Sequence, residues 1–140
     1  MAFAYFAYGS NLWPLRMRSR CPSAVVIASA RLAGWEVRYA KPGRDGTAKL
    51  DIVPAPGAEV HGAVYAIDER DRPSLDAAEP GYDVLAVGVE TDAGPLDVVT
   101  YRWPGMVTDA RPADWYRRMA MAGARFHRLP EAYVGVALRG

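Results

Sequence analysis

The chain has 140 residues, 17 basic and 16 acidic, for a net charge of +1, a balance that argues against a nucleic-acid or membrane surface and leaves a small molecule or a protein as partner. A single cysteine, Cys21, excludes an intramolecular disulfide framework, and His61 and His127 stand outside any zinc-like spacing, so both read as structural or solvated. The length fits one domain spanning 1–140; with neither a basic, apolar leader nor an apolar run long enough to cross a bilayer, a soluble cytoplasmic protein is expected.

The first predicted strand covers residues 2–8 and breaks abruptly into Gly9-Ser10-Asn11 before Pro14. Gly9 permits a turn and a close backbone approach, Ser10 and Asn11 favour turns and helix N-caps, and Pro14 suits a first helical turn. A strand ending in such a loop exposes N–H donors that can hold a carboxylate or an oxyanion, although an ordinary strand, turn and helix gives the same local pattern. Residues 14–20 then form a short basic helix or turn, in which Arg16, Arg18 and Arg20 at alternate positions read as a solvated surface.

Two strands follow, over 24–32 and 35–39, separated by Gly34. Residues 41–46 carry Pro42, Gly43 and Gly46 and read as a loop, 48–53 as a short strand, and 54–57 as a turn. Between 59 and 67 the residues alternate with both faces largely apolar, as in the wall of a closed or well-covered sheet. Acidic caps and Pro73 introduce a short helix that continues through Glu79 and stops at Pro80-Gly81.

Residues 82–91 and 96–103 are two β-rich runs joined by a hairpin at Asp92-Ala93-Gly94-Pro95. A connection through Arg111 leads to a helix over 112–125 with Trp115, Met119 and Ala122 on one face and Tyr116 beside them, and a final helix over 131–138. Strands dominate the first two thirds and helices the end. The economical architecture is α+β: a mixed, mostly antiparallel sheet curled into a small barrel with flanking helices. Trp13, Trp103 and Trp115 are candidates for the core or for a homodimer seam, the helical spacing favouring the core for Trp115.

No serine–histidine, cysteine–histidine or metal cluster offers covalent or metal chemistry, so a lone carboxylate acting as acid and base is what remains. Glu79 is the candidate: a helix C-terminus, Asp76 one turn back and partial burial would each raise its pKa. Asp76, Asp83 and Glu90 have plainer cap, turn or strand-surface explanations.

These residues carry a resemblance. Tyr5-Phe6-Ala7-Tyr8-Gly9-Ser10-Asn11-Leu12, Cys21-Pro22-Ser23-Ala24, Ala30-Arg31-Leu32, Glu59-Val60-His61-Gly62-Ala63-Val64-Tyr65 and Ser74-Leu75-Asp76-Ala77-Ala78-Glu79 resemble, in order, the motifs of the γ-glutamylcyclotransferase family, which includes the AIG2-like proteins and the γ-glutamylamine cyclotransferases. Gly123-Ala124 and Leu129-Pro130 are similar to the closing stretch of the γ-glutamylcyclotransferases proper. The resemblance implies a small barrel and a cofactor-free reaction in which a γ-glutamyl substrate closes on its own γ-carbonyl to give 5-oxoproline, the chemistry of glutathione metabolism. It implies Glu79 as the catalytic acid and base, and Tyr8, Gly9, Ser10, Asn11, Leu12, Tyr82 and Tyr116 as substrate contacts. Pro80-Gly81 brings Tyr82 only three residues after Glu79, a shorter connection than in relatives acting on γ-glutamyl amino acids. Three readings therefore stand open: release of an amino acid, release of an amine, and a non-catalytic small-molecule-binding module.

Overall fold

The computed structural model describes residues 1–140, and its frame is five strands closed into a barrel in the order β1-β3-β2-β4-β5. The strands are β1 (Ala2–Ala7), β2 (Val25–Pro42), β3 (Ala48–Asp68), β4 (Asp83–Thr91) and β5 (Gly94–Arg102). Neighbours are antiparallel except at the seam, where β1 and β5 run parallel with Tyr5 opposite Val99. Four helices surround the barrel: α1 (Pro14–Arg20), α2 (Arg72–Ala78), α3 (Asp114–Phe126) and α4 (Glu131–Ala137). Fold class and element order agree with the sequence.

Two expected breaks are absorbed into long strands. The runs on either side of Gly34 form one 18-residue strand, and the turn expected at 54–57 lies inside the 21-residue β3. The register jumps from Ala33 opposite Glu59 to Trp35 opposite Pro54, so the turn-forming residues bulge out between paired segments instead of ending the strand. Lys41 and Pro42, expected in a loop, continue β2 and pair with Lys49 and Ala48.

This extension positions the site. Only residues 63–68 of β3 pair with β1, so the earlier half of β3 and the end of β2 run past the end of β1 as a two-stranded flap. β1 and β5 are parallel, so their C-terminal ends open on the same side as that flap. The core joins barrel and flap: Phe6, Val64, Ile67 and Leu75, with Leu50 and Ile52 of the flap itself, are fully buried, each stabilising by about 1.5–3 kcal/mol.

The buried stripe of α3 is displaced by one position from expectation: Met119 is only partly buried and Ala122 is exposed. Tyr116, Ala120, Gly123 and Ala124 face inward, whereas Trp115 is 50% exposed and does not belong to the core. A Cβ on Gly123 would stand 2.5 Å from the Leu12 carbonyl carbon and the Trp13 nitrogen, so α3 approaches the loop after β1 backbone to backbone. His127, just past α3, donates from Nε2 to the Leu12 carbonyl at 2.8 Å and meets the Tyr65 hydroxyl at 3.2 Å, a structural role that ties the helix to the same loop.

Candidate active site

The chain after β1 makes a single 3-10 turn, Ser10–Leu12. Its own bonds run from the Leu12 and Trp13 N–H groups to Gly9 and Ser10 oxygens, and Gly9 at the N-cap has no side chain to satisfy the earlier donors. Gly9 itself has φ −122°, so no left-handed conformation requires glycine. A methyl there would lie 3.4 Å from Leu50 Cδ1 and 3.5 Å from the Tyr116 hydroxyl, narrowing the space the turn faces.

That space is a cavity of about 190 Å³ at the open end of the barrel. Tyr8, Gly9, Ser10 and Asn11 form one wall, Glu79 and Tyr82 another, and Tyr116 closes it from α3. Of the residues singled out from sequence, only Leu12 falls outside: its side chain is fully buried in the core.

Glu79 caps the C-terminus of α2, where Pro80 and Gly81 end the helix. Gly81 has φ +83°, and a Cβ on it would collide with the Trp103 ring at 2.8 Å, so this tight exit needs glycine. The exit turns the Glu79 side chain into the cavity, where it is 16% exposed. Oε1 accepts a hydrogen bond from Asn11 Nδ2 at 3.1 Å and lies 3.6 Å from Arg20 Nη1. The Asn11 amide is fixed on both sides, since its Oδ1 accepts from Arg20 at 2.8 Å and its Nδ2 also reaches the Tyr5 hydroxyl at 3.0 Å. Asn11 thus meets Glu79 through its side chain, where sequence had offered only its backbone N–H.

Burial pushes the Glu79 carboxyl from an ordinary 4.5 up to about 7, against the opposing pull of Arg20, Arg16 and Lys41 and of the Asn11 bond. Asp76, expected to act on it, has its carboxylate engaged by the Tyr101 hydroxyl and is not among the main influences on Glu79. A carboxyl group near pKa 7 is populated in both protonation states at neutral pH and can accept and return a proton.

The tyrosines hold the flap over the site. Tyr82 donates to the Leu50 carbonyl at 2.6 Å, and Tyr116 accepts from the Leu50 N–H at 2.9 Å, so one β3 residue is gripped from α3 and from the turn after α2. Tyr8 donates to the Tyr101 carbonyl at 2.7 Å, joining the ends of β1 and β5. Tyr82 and Tyr116 are therefore both wall and scaffold.

The sequence reading missed the basic side of the cavity. Arg16 and Arg20 are four residues apart and face inward from the same side of α1, contrary to the solvated reading given to that run; Lys41 and Arg44 reach in from the flap. The i, i+4 spacing was the available signal for the arginines. Nothing local marks Lys41, which is buried only because β2 continues past its expected end.

A family model described as Gamma-glutamyl cyclotransferase, AIG2-like matches residues 5–120, a span that holds both the 3-10 turn and Glu79. The chain belongs to this family. It is similar to the mouse protein named gamma-glutamylcyclotransferase, with 33% identity over 142 residues covering 94% of the chain and 74% of that protein. It is also similar to the cattle protein of the same name, at 32% identity with 94% and 75% covered. A solved structure titled "Gamma-glutamyl cyclotransferase" superposes with a TM-score of 0.88 at 30% identity, covering 96% of this chain and 85% of that one. With matches to named enzymes over nearly its whole length, the chain is an enzyme of the gamma-glutamyl cyclotransferase type.

Proposed function

We propose that the enzyme cyclises the γ-glutamyl group of a γ-glutamyl amino acid or peptide to 5-oxoproline and releases the attached amino acid. The observation that carries this reading is a buried Glu79 carboxyl, raised to about 7, bonded to Asn11 of the Tyr8–Asn11 loop inside one cavity.

The substrate's α-ammonium must lose a proton before its nitrogen can attack the γ-carbonyl, and the ionised form of Glu79 takes it. The new C–N bond closes a five-membered ring and puts negative charge on the carbonyl oxygen. Backbone N–H groups of Tyr8, Gly9, Ser10 and Asn11 supply donors to that oxygen and to the α-carboxylate. Glu79 then returns its proton to the nitrogen of the scissile bond, takes the remaining extra proton from the ring nitrogen, and passes it to the departing amine as the bond breaks, so that the amine leaves as an ammonium. No water is consumed, and the carboxylate ends as it began. Because both reacting atoms belong to one molecule, much of the acceleration comes from holding the glutamyl chain bent in a small, shaped cavity. Tyr82 and Tyr116 supply its walls. The Arg20–Asn11 bond holds the carboxylate in register with the loop.

This reading carries with it a place in the metabolism of glutathione-like γ-glutamyl peptides and a cytoplasmic setting. Glu79→Gln keeps the shape and removes the titratable group. Release of 5-oxoproline from a panel of γ-glutamyl amino acids and amines should fall by about 10²-fold or more in the variant while its circular dichroism stays unchanged. Unchanged turnover would remove Glu79 from the reaction, and preference of the wild type for γ-glutamyl amines would replace the leaving group.

A further inference from the structure

The cavity carries more positive charge than the proposed reaction uses. Five cationic side chains line it, Arg16, Arg20, Lys41, Arg44 and Lys49, against one carboxylate, Glu79. Arg20 lies 3.6 Å from Glu79, and Lys49 lies 3.4 Å from Asp45. Arg16, Lys41 and Arg44 pair with no carboxylate. Lys41 is the most telling of the three. It is only 8% exposed, and its ammonium has a single long contact, 3.5 Å to the Pro42 carbonyl, with the rings of Tyr82 at 5.0 Å and Trp103 at 5.4 Å beneath it. Arg16 has a buried Nε without a hydrogen-bond partner and faces the same space.

Glu79 and the buried Asp51 act on Lys41 from a distance, but no carboxylate lies within ion-pairing range, and a buried cation so placed costs desolvation energy that a bound anion offsets. The place of these groups says which part of the substrate they meet. The γ-glutamyl half is committed to the turn after β1 and to Glu79. Lys41 sits over Tyr82, which follows the Pro80-Gly81 exit, and Arg44 is on the flap tip between β2 and β3 and lines the same cavity, which in the proposed binding mode puts them on the side of the leaving group. A γ-glutamyl dipeptide with a neutral leaving residue offers this side a single carboxylate, whereas two cations outside any ion pair, Lys41 and Arg44, line it, with Arg16 in the same cavity.

We propose that Lys41 and Arg44, backed by Arg16, form an anion subsite that selects γ-glutamyl dipeptides whose leaving residue carries two carboxylates, as in γ-glutamyl-glutamate and γ-glutamyl-aspartate. The subsite deepens the proposed function by naming its preferred substrate class, and it rests on that reading for the assignment of the leaving side. It also gives the basic flap a purpose: Lys41 and Arg44 are delivered to the cavity by the extension of β2 and β3 past the barrel.

The test separates binding from turnover. Affinities of γ-glutamyl-glutamate, γ-glutamyl-alanine and γ-glutamyl-butylamine are measured by calorimetry on Glu79→Gln, which holds ligand without consuming it. The dianionic leaving residue should bind about tenfold tighter than the alanine compound, and that compound tighter than the amine. The tenfold lead should shrink to about threefold or less at 0.5 M salt, roughly a 4 Å screening length, and likewise when Arg44→Ala is added. Lys41→Met, which keeps the stem over Tyr82 and Trp103, should act in the same direction; Arg44 lies on an exposed loop, so its variant reports even if the buried substitution unfolds the chain. Equal affinity for the first two ligands, a lead indifferent to Arg44→Ala, or no binding of any of the three overturns the subsite. Failure of the wild-type enzyme to release 5-oxoproline from all three overturns the cyclotransferase reading instead, and it leaves the affinity order standing as a separate result.

Discussion

Glu79 lies between opposing forces, and the balance sets its chemistry. Removal from water raises its pKa, while Arg20, Arg16 and Lys41 lower it, with burial winning by enough to reach about 7. The ionised form is the one that accepts the ammonium proton, so kcat/KM should rise with pH through an acidic limb near 7 and flatten above it. Arg20 pulls hardest of the three cations in that balance and holds the Asn11 amide besides. Its removal by Arg20→Gln takes away a charge favouring the carboxylate, so the folded-state pKa goes up and the limb moves toward alkaline pH by roughly one unit. A merely structural role for Arg20 would lower the plateau and leave the limb where it was, so the pH profile decides. At this scale the sequence was partly legible. Pro80-Gly81 marked Glu79 as a helix end and partial burial was expected, but the extent of that burial comes from the flap, a long-range effect that no local pattern records. Asp76, one turn back in sequence, looked like the influential neighbour and is held elsewhere by Tyr101.

Among the elements, α3 shows how a period-based reading goes astray. Large apolar residues attract the inward assignment, and Trp115, Met119 and Ala122 do share a face. The helix turns a different stripe inward because its purpose is approach as much as burial: Gly123 has to lie flat on the Leu12–Trp13 backbone. Trp115 is left at the rim, with Lys49 over its ring at 5.0 Å and Arg16 at 5.6 Å. Gly123→Ala should therefore do more than add helix propensity. The methyl forces α3 off the loop, at a cost of about 1–3 kcal/mol read from denaturant midpoints. It should also weaken turnover, because the same backbone leads into the cavity wall. A stabilised variant with full activity would show that α3 does not set the loop. The strands tell a similar story. Gly34 and Pro54–Gly57 carry real turn chemistry, and both are used as bulges within long strands, since the antiparallel partner continues on either side and each bulge costs less than abandoning the pairing.

For the molecule as a whole, closing the barrel is what brings the halves of the site together. The turn after β1, the end of β5, the flap and the exit from α2 come from distant parts of the chain, and the parallel β1–β5 seam is the last join in the ring. The sequence revealed the strands and their mostly antiparallel character, but a closing parallel contact has no hairpin to announce it. Two side-chain bonds reinforce the seam. Thr100, fully buried, donates to the Phe6 carbonyl at 2.8 Å, and Tyr8 donates to the Tyr101 carbonyl at 2.7 Å beside the cavity. Thr100→Val removes a hydroxyl while keeping the branched shape, so the loss is chiefly one buried hydrogen bond, about 1–2 kcal/mol. Amide exchange should quicken at Tyr5, Phe6 and Ala7 more than in the β2–β3 flap, because the flap's pairing does not depend on the seam. The site should respond through Tyr8: a loosened seam lets the loop wall drift from Glu79, raising KM and lowering kcat together by a few fold. If stability drops while exchange in β1 and both kinetic constants stay at wild-type values, the seam is not what aligns the loop with the glutamate, and the flap bonds of Tyr82 and Tyr116 to Leu50 must carry that alignment instead.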